Sequence, residues 1–146
     1  MRHFFLFAIC LFFALNCNPQ ITTNASIIGK WKVTGDDVLS YITFDSNGFV
    51  SFREEDLTVR GDSFYLDEEI GEEPVSMTYQ IHDSLNPHQI IISILDFRTK
   101  KAIRVSYGIY QFIGKDKLKL YINTEDETIP NKFDPSETEI LLRITD

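Results

Sequence analysis

Apolar and polar residues alternate with a period of two along most of this chain. Tyr41-Ile-Thr-Phe44 and Phe49-Val-Ser-Phe52 flank the run Asp45-Ser46-Asn47-Gly48. Asn and Gly accept positive φ, so this pattern predicts a hairpin. Val75, Met77, Tyr79 and Ile81 alternate with Ser76, Thr78, Gln80 and His82. Ile103, Val105, Tyr107 and Ile109 alternate with Arg104, Ser106 and Gly108 in a run that reaches Phe112. Strict alternation of this kind marks half-buried strands. Leu118, Leu120 and Ile122 repeat it, and Ile140, Leu142 and Ile144 share one face of a closing strand. Ile90 to Leu95 is continuously apolar, which predicts a strand covered on both faces. Gly108 in mid-strand predicts a bulge or sharp bend.

The remaining segments fill in the order. Ile27 to Thr34 reads as the first strand and carries Trp31, the only tryptophan. Between Glu54 and Glu73 acids accumulate against Arg60 alone, with two short apolar pieces, Leu57 to Val59 and Phe64 to Leu66. Turns fall at Gly35-Asp36-Asp37, around Asn86-Pro87, at the basic run Arg98-Thr-Lys-Lys101, and at Ile113 to Asp116. Asn123 to Glu137 is a longer loop with Pro130 and Pro135. No helical period appears between residues 27 and 146. The expected fold is all-β, antiparallel and up-and-down, with eight to nine strands spaced roughly 8–12 residues apart. Closing such a sheet into a barrel removes its exposed edges. An eight-stranded barrel has room for side chains or one small ligand.

The first residues are of a different kind. Met-Arg-His is followed by Phe4 to Leu15 without one polar residue. One basic residue before a short apolar run is the pattern of a secretory signal peptide, and the run is too short to span a bilayer. A buried core helix is the alternative, but it would show polar positions at a period of 3.6. The segment Phe13-Ala14-Leu15-Asn16-Cys17 resembles a bacterial lipobox, with Asn16 where Gly or Ala is commonest. Cys10 is the poorer acceptor, because the apolar run continues past it. No cysteine follows Cys17, so removal of the leader leaves it without an intrachain partner. Acylation at Cys17 accounts for that thiol, and each buried CH₂ of the acyl chains would contribute about 0.8 kcal/mol to anchoring. The expected organisation is a lipoprotein signal peptide at 1–16, a polar tether at 17–26 and a barrel domain at 27–146.

Charge narrows the function classes. The chain carries a formal net charge of −8, and removal of the leader takes away Arg2 and no acid. A domain this acidic is a poor candidate for nucleic acid, and its sequence shows no polybasic patch for anionic lipid. The acidic stretch 54–73 lacks the spacing of a calcium loop, and Asp45-x-Asn47-Gly48 is only a fragment of one. His82 and His88 flank Asn86-Pro87 and read as solvent-exposed turn residues rather than a metal pair. Gly-x-Ser-x-Gly, His-Glu-x-x-His and Gly-rich phosphate loops are all missing. The expectation is therefore no enzyme, no cofactor and no metal. Asn24-Ala25-Ser26 fits a glycosylation sequon that an exported bacterial lipoprotein would rarely use.

One ordered set of motifs carries a resemblance. Gly29-x-Trp31 in the first strand is similar to the Gly-x-Trp signature of lipocalins. Gly108-Ile-Tyr110, Lys117-Leu-Lys-Leu120, Pro130-Asn-Lys-Phe133 and Leu141-Leu-Arg-Ile144 follow in an order that resembles a group of small secreted bacterial lipocalin-like domains, largely uncharacterised. The resemblance spans roughly residues 28–145. It implies a lipocalin-like barrel whose floor is made by Gly29, Trp31 and Arg143, with the arginine lying over the indole. The chain departs from larger lipocalins in ending on a strand and in lacking a Thr-Asp-Tyr motif.

Two functions follow as expectations. The first is an exported, lipid-anchored envelope protein (outer membrane, on its periplasmic or surface face) that binds a small apolar ligand. Phe44, Val50, Phe52, Met77, Tyr79, Val105 and Tyr107 are the candidate pocket residues, taken from the alternating apolar faces. A register error of one residue would invert any of those faces. The second is a non-catalytic interaction protein with a filled barrel, which meets an envelope protein partner through its acidic loops.

Overall fold

The computed structural model describes residues 26–35, 40–66 and 73–145. The expected leader, the Cys17 lipidation site and most of the tether fall outside the described residues. The described residues form one antiparallel sheet and no helix. Its strands are β1 (Gly29–Thr34), β2 (Ser40–Phe44), β3 (Val50–Glu54), β4 (Leu57–Val59), β5 (Phe64–Tyr65), β6 (Pro74–His82), β7 (His88–Asp96), β8 (Ala102–Gly114), β9 (Lys117–Asn123) and β10 (Glu139–Ile144). The strand count is ten, not eight or nine, because both short pieces of the acidic stretch pair with a neighbour. The order across the sheet is β4-β3-β2-β1-β10-β9-β8-β7-β6-β5. This is an up-and-down meander in which the first and last long strands pair, Trp31 opposite Arg143 and Val33 opposite Leu141.

The sheet nearly closes on itself. Phe49 and Thr78 form an isolated antiparallel bridge. The Tyr79 amide donates to the Gly48 carbonyl at 2.9 Å, and the Met77 amide donates to the Gly61 carbonyl at 2.7 Å. The start of β3 therefore meets β6 directly, and eight strands make the ring there. Toward the far end of β3, β4 and β5 come between them and the wall splays to ten strands. The eight-stranded end is held together by the turn 45–48. Asp45 accepts from the amides of Asn47 at 2.8 Å and Phe49 at 2.9 Å, while Gly48 takes a φ of +86°.

Alternation sorts the strands into an inner and an outer face. Ile27, Trp31, Val33, Phe44, Val50, Ile90, Tyr110, Leu118, Leu120 and Leu141 form the buried inner core. Gly108 does not mark a bulge. It sits flat in the wall, where an added Cβ would lie 2.5 Å from Ile122 Cδ1 and 2.6 Å from the Tyr121 carbonyl oxygen. The bulges lie elsewhere, and each extrudes an isoleucine. Ile94 pairs with Arg104 and Leu95 with Ala102, which leaves Ile103 over; Phe112 pairs with Leu118 and Gly114 with Lys117, which leaves Ile113 over. Both extra residues point their apolar side chains into water. A bulge twists the strand and ends regular pairing, so these two set where the long β8 bends away from its neighbours. The strand β7 is not covered on both faces throughout, since only Ile90 is fully buried.

Candidate functional site

The floor of the barrel is built around Trp31, which is 0 % exposed. Its indole N–H donates to the Ile27 carbonyl at 2.8 Å. The Arg143 guanidinium carbon lies 4.1 Å from the centroid of the indole ring. Arg143 also donates to the carbonyls of Ile28 at 2.8 Å and Ser26 at 2.5 Å, and its Nε lies 3.3 Å from Asp116 Oδ1. One side chain thus binds the incoming N-terminal segment, the indole face and the β8–β9 turn. Gly29 is required beneath it: φ is +138°, and a Cβ there would stand 2.6 Å from Arg143 Nη1. Arg143→Ala is expected to cost about 2–4 kcal/mol, since it removes a cation–π contact and charge-assisted hydrogen bonds together. Denaturant unfolding and the Trp31 emission spectrum would both register it, and two unchanged readings would remove Arg143 from the floor.

Aromatic rings stack upward from this plug. Phe112 lies 6.3 Å from Trp31 and 5.9 Å from Tyr110, and His88 lies 4.9 Å from Tyr110. His88 is therefore not a solvent-exposed turn residue: it points inward from the start of β7, and its Nδ1 is buried without a hydrogen-bond partner. Phe44 meets Tyr79 edge-on at 5.1 Å, and the Tyr79 hydroxyl donates to the Asp45 carbonyl at 2.7 Å. Burial, then the charge of Asp45, raises the Tyr79 pKa. Burial, reinforced by Asp83 and Tyr79, pushes the Tyr110 hydroxyl up from 10.0 to about 12. A pKa raised in the folded state contributes stability below the unfolded value and loses it as pH climbs through the folded one. Stability should therefore fall between pH 10 and about 12, by about 1–2 kcal/mol once solvent screening is allowed for. Alkaline denaturation curves of the protein and of Tyr110→Phe would differ in that window; identical curves would refute it.

Above the floor the inner wall is less covered; it is apolar on β2, β6, β7 and β9, while Ser106 and Arg104 of β8 and Glu139 of β10 share that face by register. Ile42, Met77, Tyr79, Ile92 and Ile122 pack against the core while remaining only partly buried, and Phe52, half-buried on β3, shares their face opposite Ile42. Of the residues expected to line a pocket, Phe44 and Val50 belong to the buried floor, and Phe52, Met77 and Tyr79 face the partly covered zone. Val105 and Tyr107 stand on the opposite face. Ile90 pairs with Gly108 and Ile92 with Ser106, so the inward residues of β8 are the even-numbered ones. Ile42, Ile92 and Ile122 were not singled out from sequence. Their signal was present, since each alternates with a core neighbour on its own strand, but only the pairing register orients them.

The outer face has two further features. Lys119 Nζ lies 4.0 Å over the Phe133 ring, so the loop 124–138 folds back across β9. Burial, then the charges of Glu137, Asp134, Glu125 and Asp126, raise the Tyr121 pKa on that face. The β7–β8 turn carries Arg98, Lys100 and Lys101 and is held by Asp96, which accepts from the amides of Thr99 at 2.6 Å and Arg98 at 3.1 Å. Those bonds hold the Asp96 carboxyl below its usual range. Among the described residues no cluster of His, Cys, Asp and Glu has metal-holding geometry. Comparison with known protein families, curated proteins and solved structures finds no match to this chain.

Proposed function

We propose that this chain is a lipocalin-like lipoprotein, anchored to the bacterial envelope through Cys17, that holds a small apolar ligand above the Trp31 floor. It performs no chemistry in this reading. The observation that supports it is the gradient of burial along the inner face. Trp31, Leu118 and Leu141 at the floor are fully enclosed, whereas Ile42, Phe52, Met77, Ile92 and Ile122 face the barrel axis yet keep contact with water. Apolar side chains that converge inside a concave wall and remain wet gain about 25 cal/mol per Å² when a ligand covers them. In this reading the half-buried ring forms the apolar part of a cup, and the aromatic stack is its base.

Titration with a neutral fluorescent naphthylamine probe tests this. Saturable one-to-one binding is expected, with competition by a membrane lipid extract. Phe52→Ser and Met77→Gln should weaken it about tenfold each, the loss of one buried apolar side chain. Val105→Gln, on the outer wall, should leave it unchanged. Probe binding that is not saturable, or that responds to Val105 as much as to Met77, would overturn the cup.

The packed floor favours a second reading, a non-catalytic interaction protein that meets an envelope partner through its acidic loops at 54–73 and 123–137. Capture of one defined envelope protein by the intact chain, lost when those loops are neutralised and indifferent to Met77→Gln, would favour it.

A further inference from the structure

We infer that the tip of the β7–β8 hairpin is a docking surface for an anionic lipid membrane, a role separate from whatever the cup holds. The sequence scatters its cations thinly, yet Arg98, Lys100, Lys101 and Arg104 fall within seven consecutive positions of a chain whose net charge is −8. The fold gathers them on one projection, with Arg104, opposite Ile94, on its inner face. The last pair between β8 and β9 is Tyr107 with Asn123, so Ala102 to Ser106 of β8 is bordered by β7 alone. The hairpin thus runs past its neighbour on that side. Its turn is set by the Asp96 bonds, by Lys100 donating back to the Asp96 carbonyl at 2.9 Å, and by a φ of +59° at Lys100.

The cations there are weakly engaged. Arg98 reaches Glu73 at 3.5 Å, with both side chains well exposed. Lys100 lies 4.2 Å over the Phe97 ring. Lys101 and Arg104 have no ion pair among the described residues. Among the described residues Asp96 and Glu73 are the acids in contact with the group, and Asp96 is engaged by the turn itself.

Two exposed apolar side chains flank these charges and decide the partner's chemistry. Phe97 is 43 % exposed, and Ile103, extruded by the bulge, is 48 % exposed. An acidic peptide would satisfy the cations and leave Phe97 and Ile103 wet, and a nucleic acid could stack a base on Phe97 but would leave Ile103 wet. An anionic bilayer satisfies both, since its headgroups attract Lys and Arg while its interface takes up aromatic and aliphatic side chains. Phe97 is already stacked beneath Lys100, an arrangement in which the ring can enter the interface with the ammonium at headgroup level.

The intact chain bearing Phe97→Trp supplies the test, because Trp31 is enclosed and its emission serves as an internal constant. Added to phosphatidylglycerol-rich vesicles, the new tryptophan should shift to the blue and be quenched by brominated acyl chains. Pure phosphatidylcholine should give no shift. At about 1 M salt, where the Debye length is about 3 Å, the shift should vanish. Lys100→Gln with Lys101→Gln should raise the lipid concentration at half-maximal shift about 30-fold, two charges' worth. Equal shifts with both lipids, or none with either, would overturn the inference. A shift produced by soluble polyglutamate or an oligonucleotide and not by vesicles would overturn it in favour of a polyanionic polymer.

Discussion

Trp31→Ala is expected to destabilise the protein by about 3–5 kcal/mol, the range for deleting a fully buried large aromatic side chain. Three consequences meet at this one position. The indole is 0 % exposed, so its whole area returns to water or leaves a cavity. Its N–H bond to the Ile27 carbonyl is lost, and that carbonyl belongs to a residue that is itself 2 % exposed. Arg143 loses the ring beneath its guanidinium and keeps only its carbonyl and Asp116 partners. Trp31→Phe preserves an aromatic surface but not the donor, and should cost about half as much. Equilibrium unfolding in denaturant, followed by circular dichroism because the fluorophore is gone, would check both. A loss for Trp31→Ala under about 1 kcal/mol, the size of an ordinary surface change, would mean that the floor is not the keystone of the fold.

The second large effect is expected at Gly61, on the connection between β4 and β5. An added Cβ would lie 2.2 Å from the Val50 carbonyl oxygen, 2.7 Å from its carbonyl carbon and 2.9 Å from its nitrogen. All three atoms are backbone, so no side chain can turn aside to relieve the collision. The same residue closes the seam: its N–H donates to Ser51 Oγ at 2.9 Å and its carbonyl accepts from the Met77 amide at 2.7 Å. Gly61→Ala should therefore cost about 3 kcal/mol or more, above the usual overpacking range because the clash also parts β3 from β6. Hydrogen exchange would localise it, with the Met77 and Tyr79 amides exchanging faster than those of β9. Gly114→Ala is the control, since nothing lies within 4 Å of a Cβ there. Similar stabilities for the two variants would refute the account of the seam.

These two positions differ in how well they can be read without the fold. Trp31 announces itself as the lone tryptophan in a Gly-x-Trp strand, and Gly29 before it has a visible counterpart in the Arg143 that the chain places near its end. Gly61 carries no such mark. It lies in an acidic stretch that reads as solvated loop, and its importance comes from a strand ten residues earlier in the chain. His88 is the same kind of case: a histidine beside Asn86-Pro87 reads as exposed, yet the register that puts it opposite Tyr110 turns it inward. The basic run at 98–101 was plain as a turn. Its isolation beyond the end of β9, and the addition of Arg104, Phe97 and Ile103 to it, depend on where pairing stops.

Local information settled a great deal here. Alternation with a period of two, interrupted by Asn-Gly, Asn-Pro and charged turns, was enough for an all-β antiparallel meander, because strand identity rests on which faces of a short segment are apolar. It was also enough to locate most strands to within a residue or two. What it could not settle was anything that depends on the pairing of distant segments. The choice of inner face on β8 is a matter of register, which reverses with a one-residue slip, and it moved Val105 and Tyr107 to the outside. The tenth strand, the seam at Gly61, the two bulges at Ile103 and Ile113, and the wet apolar ring above Trp31 all arise from closing the sheet. Closure is a condition on the whole chain at once, and no window of neighbouring residues contains it.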